Sequence, residues 1–275
     1  MTILDRILPD VRRELDAARE LMPLAELKRR AADVPAPRDF AGALTGHGFS
    51  LIAEIKQRSP SMGDMRAENV AAAAEAYEAE PLVRAVSVLT NTTHFGTGMD
   101  DLRRIAATST KPVLRKDFFL DPYQVYAARA AGADAVLLMA NVLSAGQMRD
   151  LHEIVLELGM EALFEVHEAA EIEALPGTAR VVGINSRKFK SHRGFVGAGE
   201  KAEEDFSLDP AAFALAESLP AGCVRVAESG VTPETVAPLA QYFDTALVGT
   251  SLLRDPRGVA SALDDFARAL AGRPA

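Results

Sequence analysis

Short apolar runs rich in Val, Ile and Leu recur along the chain at Leu51 to Lys56, Val83 to Leu89, Pro112 to Lys116, Ala135 to Met139, Ala162 to Val166, Val181 to Asn185, Val224 to Glu228 and Thr245 to Gly249. Runs of this length, bounded by turn residues and lacking polar alternation, read as strands buried on both faces. The segments between them carry helical spacing and helix-start chemistry. Asp121-Pro122, Ser144 and Thr232-Pro233 each place a capping side chain ahead of a first turn. Strand and helix therefore alternate, as a parallel sheet with crossover helices requires. Eight such strands can form an open doubly wound sheet or close on themselves; closure removes both exposed edges, and the count of eight favours it. The predicted fold is an α/β protein, a (β/α)8 TIM barrel occupying residues 1–275 as one domain.

Ahead of the first strand, Ile3 to Glu20 and Leu24 to Ala32 have amphipathic helical spacing and are followed by the stiff Val34-Pro35-Ala36-Pro37 connector. Residues 1–48 are therefore expected to form an N-terminal helical extension that caps one end of the barrel. Between the sixth and seventh strands, Arg187 to Leu208 lacks apolar periodicity, which predicts a long mobile loop over 188–205 on the catalytic face. No short internal repeat points to a solenoid.

Composition narrows the partners. Apolar residues make up 48% and charged residues 25%, enough to build a large core in a soluble domain. The net charge is −9 and the Lys and Arg residues are scattered, so a nucleic-acid footprint is missing and an anionic substrate needs a locally built positive pocket. The single cysteine, Cys223, leaves no internal disulfide and fits a reducing cytoplasm. No apolar stretch approaches the roughly 18 residues of a membrane helix, so no membrane partner is expected. His47, His94, His152, His167 and His192 lack metal-ligand spacing, and no dinucleotide or Walker-type glycine motif is present; no metal and no cofactor are predicted. His94, after the second strand, is singled out for its position.

In a barrel of this kind the chemistry sits at the C-terminal ends of the strands. Strand one ends Ala53-Glu54-Ile55-Lys56, and side chains two apart share a face, so Glu54 and Lys56 both project inward. A structural ion pair is the plainer reading, but a buried pair without a use is costly. Strand three ends Leu114-Arg115-Lys116-Asp117-Phe118, which makes Lys116 the leading acid. Desolvation beside Lys56 is expected to lower its pKa toward neutrality. Strand five ends Leu163-Phe164-Glu165-Val166-His167, offering Glu165 as a general base or a partner for a developing cation. Strand six offers Asn185 for a hydroxyl and Arg187 for a carboxylate. Strands seven and eight end in Glu228-Ser229-Gly230 and Gly249-Thr250-Ser251, whose glycines let backbone amides approach an oxyanion and suggest a phosphate cup.

These residues, with Ile52-Ala53-Glu54-Ile55-Lys56, Ser59-Pro60-Ser61, Ser87-Val88-Leu89-Thr90, Pro112 to Phe118, Asp121-Pro122-Tyr123-Gln124, Ala131 to Leu138, Gly183 to Arg187 and Val248-Gly249, resemble the indole-3-glycerol phosphate synthase family over almost the whole chain. The resemblance implies a cofactor-free lyase of tryptophan biosynthesis. It would convert 1-(2-carboxyphenylamino)-1-deoxyribulose 5-phosphate into indole-3-glycerol phosphate by ring closure, decarboxylation and dehydration. By the same resemblance Lys116 is the general acid on the ketone, Glu165 the general base, Lys56 the partner of the substrate carboxylate, and Glu54 and Asn185 orienting groups. Ser59, Gly230, Gly249, Thr250 and Ser251 would hold the phosphate. Pro60, Phe95, Phe118 and Leu138 would enclose the aromatic ring, and Arg187, Glu228 and Ser229 would complete the polar wall. The implied partners are the sugar-phosphate substrate and, beyond it, other enzymes of the tryptophan pathway. Met62, Asn91 and Gly98 stand where the family pattern has a lysine, an acidic residue and a serine. Those departures keep two alternatives in play: a related barrel enzyme on another phosphorylated aminosugar, such as the isomerase of the preceding step, and a catalytically silent barrel subunit. Cys223, at a strand start on the opposite rim, speaks against the isomerase.

Overall fold

The computed structural model describes residues 3–46, 48–187 and 208–272. Eight parallel strands close a barrel: β1 (Ser50–Ile55), β2 (Val83–Leu89), β3 (Val113–Lys116), β4 (Ala135–Met139), β5 (Glu161–Val166), β6 (Val181–Asn185), β7 (Val224–Glu228) and β8 (Thr245–Val248). Each pairs with its sequence neighbours, and β8 returns to β1 with Ser50 opposite Thr245 and Ala53 opposite Val248. Closure leaves no ladder edge unpaired.

The period-two alternation of each strand divides the core. Outward side chains such as Leu51, Val88, Leu138, Phe164 and Ile184 pack beneath the surrounding helices, while Ile52, Leu114, Leu137, Leu163 and Leu247 fill the lumen. The capping signals act where expected: Asp121 accepts from the Tyr123 N–H at 2.9 Å, and Ser144 forms a capping box with Gln147. Between β6 and β7 the connection ends in a 3₁₀ helix, Pro210–Ser218, rather than an α-helix. Arg187 and Leu208 bridge its two flanks, and Asp209 N–H donates to the Ser186 carbonyl at 2.7 Å. The loop expected over 188–205 lies outside the described residues, as do His47 and His192.

The N-terminal extension does more than cap one end. Helix α1 (Ile3–Leu21) lies over the catalytic mouth, where Leu4, Ile7, Leu8 and Val11 join the luminal cluster. Its polar side grips the loop after β2. His94 Nε2 meets Asp10 Oδ2 at 2.9 Å, and Glu14 accepts from Asn91 Nδ2 and Thr93 Oγ1, both at 3.1 Å. An acidic side chain at position 91 would face that carboxylate, so asparagine suits this chain. Helix α2 (Leu24–Asp33) packs on the flank, against the helix Pro122–Ala130. The short helix Phe40–Ala43 closes the opposite end; beside it Arg38 ties to Asp134 at the start of β4, Nε to Oδ2 at 2.8 Å. No helix among the described residues is long and apolar enough to cross a membrane.

Candidate active site

A cavity of about 350 Å³ opens at the C-terminal ends of the strands. Its volume suits a small ligand. Polar groups converge at its base. Glu54 and Lys56, two apart on β1, point into the lumen with Nζ 2.5 Å from Oε1. Lys116 enters from β3, its Nζ 3.6 Å from Glu165 Oε2 of β5 and 3.8 Å from Glu228 Oε2 of β7. Asn185 and Arg187, at and just past the end of β6, line the same space. Two glycines make room for these carboxylates. A Cβ at Gly183 would come within 2.0 Å of Glu228 Oε1, and one at Gly249 within 2.4 Å of Glu54 Oε1.

The three ionisable residues that end β3 serve two compartments. Lys116 faces the lumen, whereas Arg115 turns outward. Arg115 donates to Asp117 Oδ2 at 2.7 Å, to Thr90 Oγ1 at 2.9 Å and to the Gln124 carbonyl at 2.9 Å. Thr90 donates to Asp117 Oδ2 at 2.6 Å, and Asp117 Oδ1 accepts the Phe118 N–H at 2.9 Å. This buried network fixes the turn that carries Phe118 into the cavity wall.

Electrostatics correct one expectation. Burial acts to lower the Lys116 pKa, but Glu165, Glu228 and Glu54 outweigh it, and the ammonium is held more firmly than an ordinary lysine's. A near-neutral lysine tuned by Lys56 is therefore not what this site contains; three carboxylates govern Lys116. Among those carboxylates the environments diverge. Burial and the neighbouring Glu165 push Glu228 well up. Glu165 is equally buried, but Lys116 and His167 overcome that burial and hold it below the usual carboxylate range. Glu54 is likewise lowered, burial being outweighed by Lys56 and Lys116. The two neighbouring carboxyls are thus driven apart, Glu228 upward and Glu165 downward. The inner wall sets Lys56, Lys116 and Arg187 among the carboxyls of Glu54, Glu165 and Glu228.

The cavity's opposite side is built by sharp turns. Ser229 and Gly230 occupy the left-handed region in succession, at φ 65° and 68°. There the chain turns so that Ser229, Gly230, Gly249, Thr250 and Ser251 all line the cavity, with Ser59 and Pro60 from a small hairpin (Arg58–Ser59 with Gly63–Asp64) completing the rim. Phe95 and Phe118 supply aromatic walls.

Of the residues read from the sequence as site candidates, Leu138 alone is misplaced. It is fully buried in the outer layer, and its neighbours Leu137 and Met139 line the cavity instead. The run Ala135 to Met139 is apolar throughout, so its pattern does not mark which parity faces inward. His94 is engaged with Asp10 and does not line the cavity. Sequence reasoning also missed Ile7, which only the docking of α1 brings in, and the ring of His167 behind Glu165.

A family model described as indole-3-glycerol phosphate synthase matches residues 4–263. Relatives named indole-3-glycerol phosphate synthase include that of Kineococcus radiotolerans, 43% identical across 94% of this chain and 93% of its own length. That of Mycolicibacterium gilvum is 39% identical across 95% and 93%. Solved structures share the fold at lower identity: a 3-hexulose-6-phosphate synthase at TM-score 0.58 and 16% identity, covering 80% of this chain and 99% of that one. A thiamine phosphate pyrophosphorylase from Pyrococcus furiosus reaches 0.56 at 14% identity, covering 85% and 98%. Matched by the family model and by these relatives over nearly its full length, the chain belongs to the indole-3-glycerol phosphate synthase family.

Proposed function

We propose that this cavity turns 1-(2-carboxyphenylamino)-1-deoxyribulose 5-phosphate into indole-3-glycerol phosphate, carbon dioxide and water. The observation that carries the reading is the convergence of Lys116, Glu165, Glu54 and Lys56 in one cavity whose other side is made of small residues in tight turns. In this reading the phosphate rests against Ser59, Gly230, Gly249, Thr250 and Ser251, where backbone amides approach an oxyanion. Phe95, Phe118 and Pro60 enclose the carboxyphenyl ring, with Leu137 and Met139 beneath it, and Lys56 pairs with its carboxylate.

Lys116 donates to the ketone oxygen. A tightly held ammonium is suited to this role, because the oxygen becomes an alkoxide as the ring carbon attacks, and an alkoxide takes the proton readily. Carbon dioxide leaves from the carbon that has formed the new bond. Glu165, kept ionised by Lys116 and His167, removes the proton that accompanies loss of water, while Glu54 and Asn185 orient the sugar hydroxyls. Arg187, Glu228 and Ser229 complete the polar wall. The buried free thiol of Cys223 suits a reducing compartment and supports assignment to the cytoplasm. Cys223 precedes β7 at the far rim, which disfavours a Cys-based isomerase.

Indole fluorescence appearing from the carboxyphenylamino substrate tests the reading directly. Lys116→Met is expected to lower kcat by about 10²- to 10⁴-fold while phosphate-bearing analogues still bind. Unchanged turnover would remove Lys116 from its role, and no indole product from the intact chain would reject the reaction.

A further inference from the structure

The turn after β7 lines the cavity through Ser229, Gly230 and Val231, and its first two residues hold positive φ. A turn can offer an anion either its N–H groups or its carbonyls, so the setting of each peptide plane decides whether it attracts or repels a phosphate. For the Ser229–Gly230 peptide, Ser186 decides it. This residue follows Asn185 at the end of β6, is 2% exposed and, unlike Asn185, does not line the cavity. Its backbone is held on both sides: the N–H donates to the Glu228 carbonyl at 3.0 Å, and the carbonyl accepts the Asp209 N–H at 2.7 Å. The hydroxyl so placed donates to the Ser229 carbonyl at 3.1 Å, drawing that oxygen away from the cavity. The peptide is trans, so its N–H, on Gly230, leaves from the opposite edge. Further along, the Val231–Thr232 peptide is committed at both groups. Ser251 Oγ donates to the Val231 carbonyl at 2.7 Å, and the Thr232 N–H donates to Thr235 Oγ1 at 2.9 Å. That end of the turn is anchored, which leaves the Ser229–Gly230 peptide as the unit whose setting matters.

We infer that Ser186 is a positioning residue for the anion: by holding the Ser229 carbonyl outward it aims the Gly230 N–H into the cavity, where that N–H donates to the substrate's phosphate. This rests on the phosphate placement proposed above. Ser186 touches no substrate and acts only through the peptide. Without its hydroxyl the Ser229 carbonyl loses its donor, and a buried oxygen with no partner costs more than an ordinary hydrogen bond contributes. Rotation of the peptide plane relieves that cost by bringing the carbonyl round to the cavity. Gly230, at φ 68°, accepts the reversed φ that such a rotation brings as readily as the one it has. The rotation exchanges a donor facing the phosphate for an acceptor facing it. The same geometry gives Ser251 a matching part. Its single hydroxyl proton goes to the Val231 carbonyl, so the side chain steadies the far end of the turn rather than donating to the phosphate.

The test reads that peptide directly. Ser229–Gly230 is the one Ser-Gly dipeptide in the chain, so protein isotope-labelled at the serine carbonyl carbon and the glycine nitrogen gives a single carbonyl-edited amide signal from it. With inorganic phosphate as the probe, the signal of the intact protein should move downfield as its N–H takes up the anion. In Ser186→Ala the shift should be small, and the phosphate dissociation constant from the same titration should rise about fivefold, the worth of one hydrogen bond. KM should rise by the same factor with kcat held within about twofold, and affinity for 2-aminobenzoate, a ring compound without phosphate, should stay as it was, a split that a general packing defect would not produce. Ser186→Cys, close in shape but a poor donor, should fall between the two and carries the test should the alanine variant fold badly. The inference is overturned if either folded variant binds phosphate as the wild type does, or if the Ser-Gly signal of the intact protein ignores phosphate. Absence of indole product from the unmodified chain, with the phosphate response present, overturns the parent reaction instead, so the two failures are distinguishable.

Discussion

Gly183 offers a sharp test of how the carboxylates are packed. In Gly183→Ala the new Cβ would meet Glu228 Oε1 at 2.0 Å and Leu163 Cδ1 at 3.3 Å. An ordinary carbon–oxygen contact is about 3.3 Å, so the carboxylate must retreat by about 1.3 Å. It has little room, because Glu228 is buried and Lys116 Nζ sits 3.8 Å from its other oxygen. Overpacking of a lumen costs roughly 1–3 kcal/mol. At about 2–4 °C per kcal/mol for a chain of this size, the melting temperature should fall by roughly 2–12 °C. Displacing a group beside the candidate acid by about 1 Å should also cost on the order of 10²-fold in kcat. Scanning calorimetry and steady-state indole fluorescence read the two effects. Gly177→Ala is the control, since nothing lies within 4 Å of a Cβ there. A Gly183→Ala protein with native melting temperature and native kcat would refute the packing argument.

Three further outcomes follow from the same geometry. Glu228 is raised by burial and by Glu165, so its contribution to stability is fully present below the unfolded carboxyl value of about 4.3 and is lost as pH rises through its folded value. Glu228→Gln stays neutral, so its melting temperature should gain on wild type as pH rises from about 4.3 through the folded value of Glu228 and stay level below that interval; a constant difference would sink this. Ser229 holds φ 65°, and Ser229→Gly should gain roughly 1 kcal/mol in urea unfolding while Ser229→Ala does not. Asp10→Asn weakens the grip of α1 on His94 and so on the loop that carries Phe95; KM should rise up to about fivefold with kcat retained, the scale of a ~1 kcal/mol pair.

The strands were legible because each is an apolar run set off by turn residues, and Glu54 and Lys56 were legible because two charges spaced by two must share a face. Leu138 was misassigned where five apolar residues in a row erase the parity signal. The protonation of Lys116 was misjudged for a different reason. Sequence places one lysine near another, but only the closed ring of strands brings Glu165 and Glu228 to either side of the same nitrogen, and opposite charges then prevail over burial. Ile7, more than forty residues ahead of the first strand, contributes to the wall through the docking of α1, a contact that no local pattern encodes.

The end of β3 constrains how this chain can diverge. Arg115 turns away from the lumen to pair with Asp117, and Lys116 belongs to the lumen. Inserting or deleting one residue upstream in that strand would exchange the two populations, thrusting a guanidinium among the reacting groups and stranding the ammonium behind the wall. Descendants of this sequence can therefore change letters in the segment more freely than they can change its length, and tolerated insertions are expected only outside the staves.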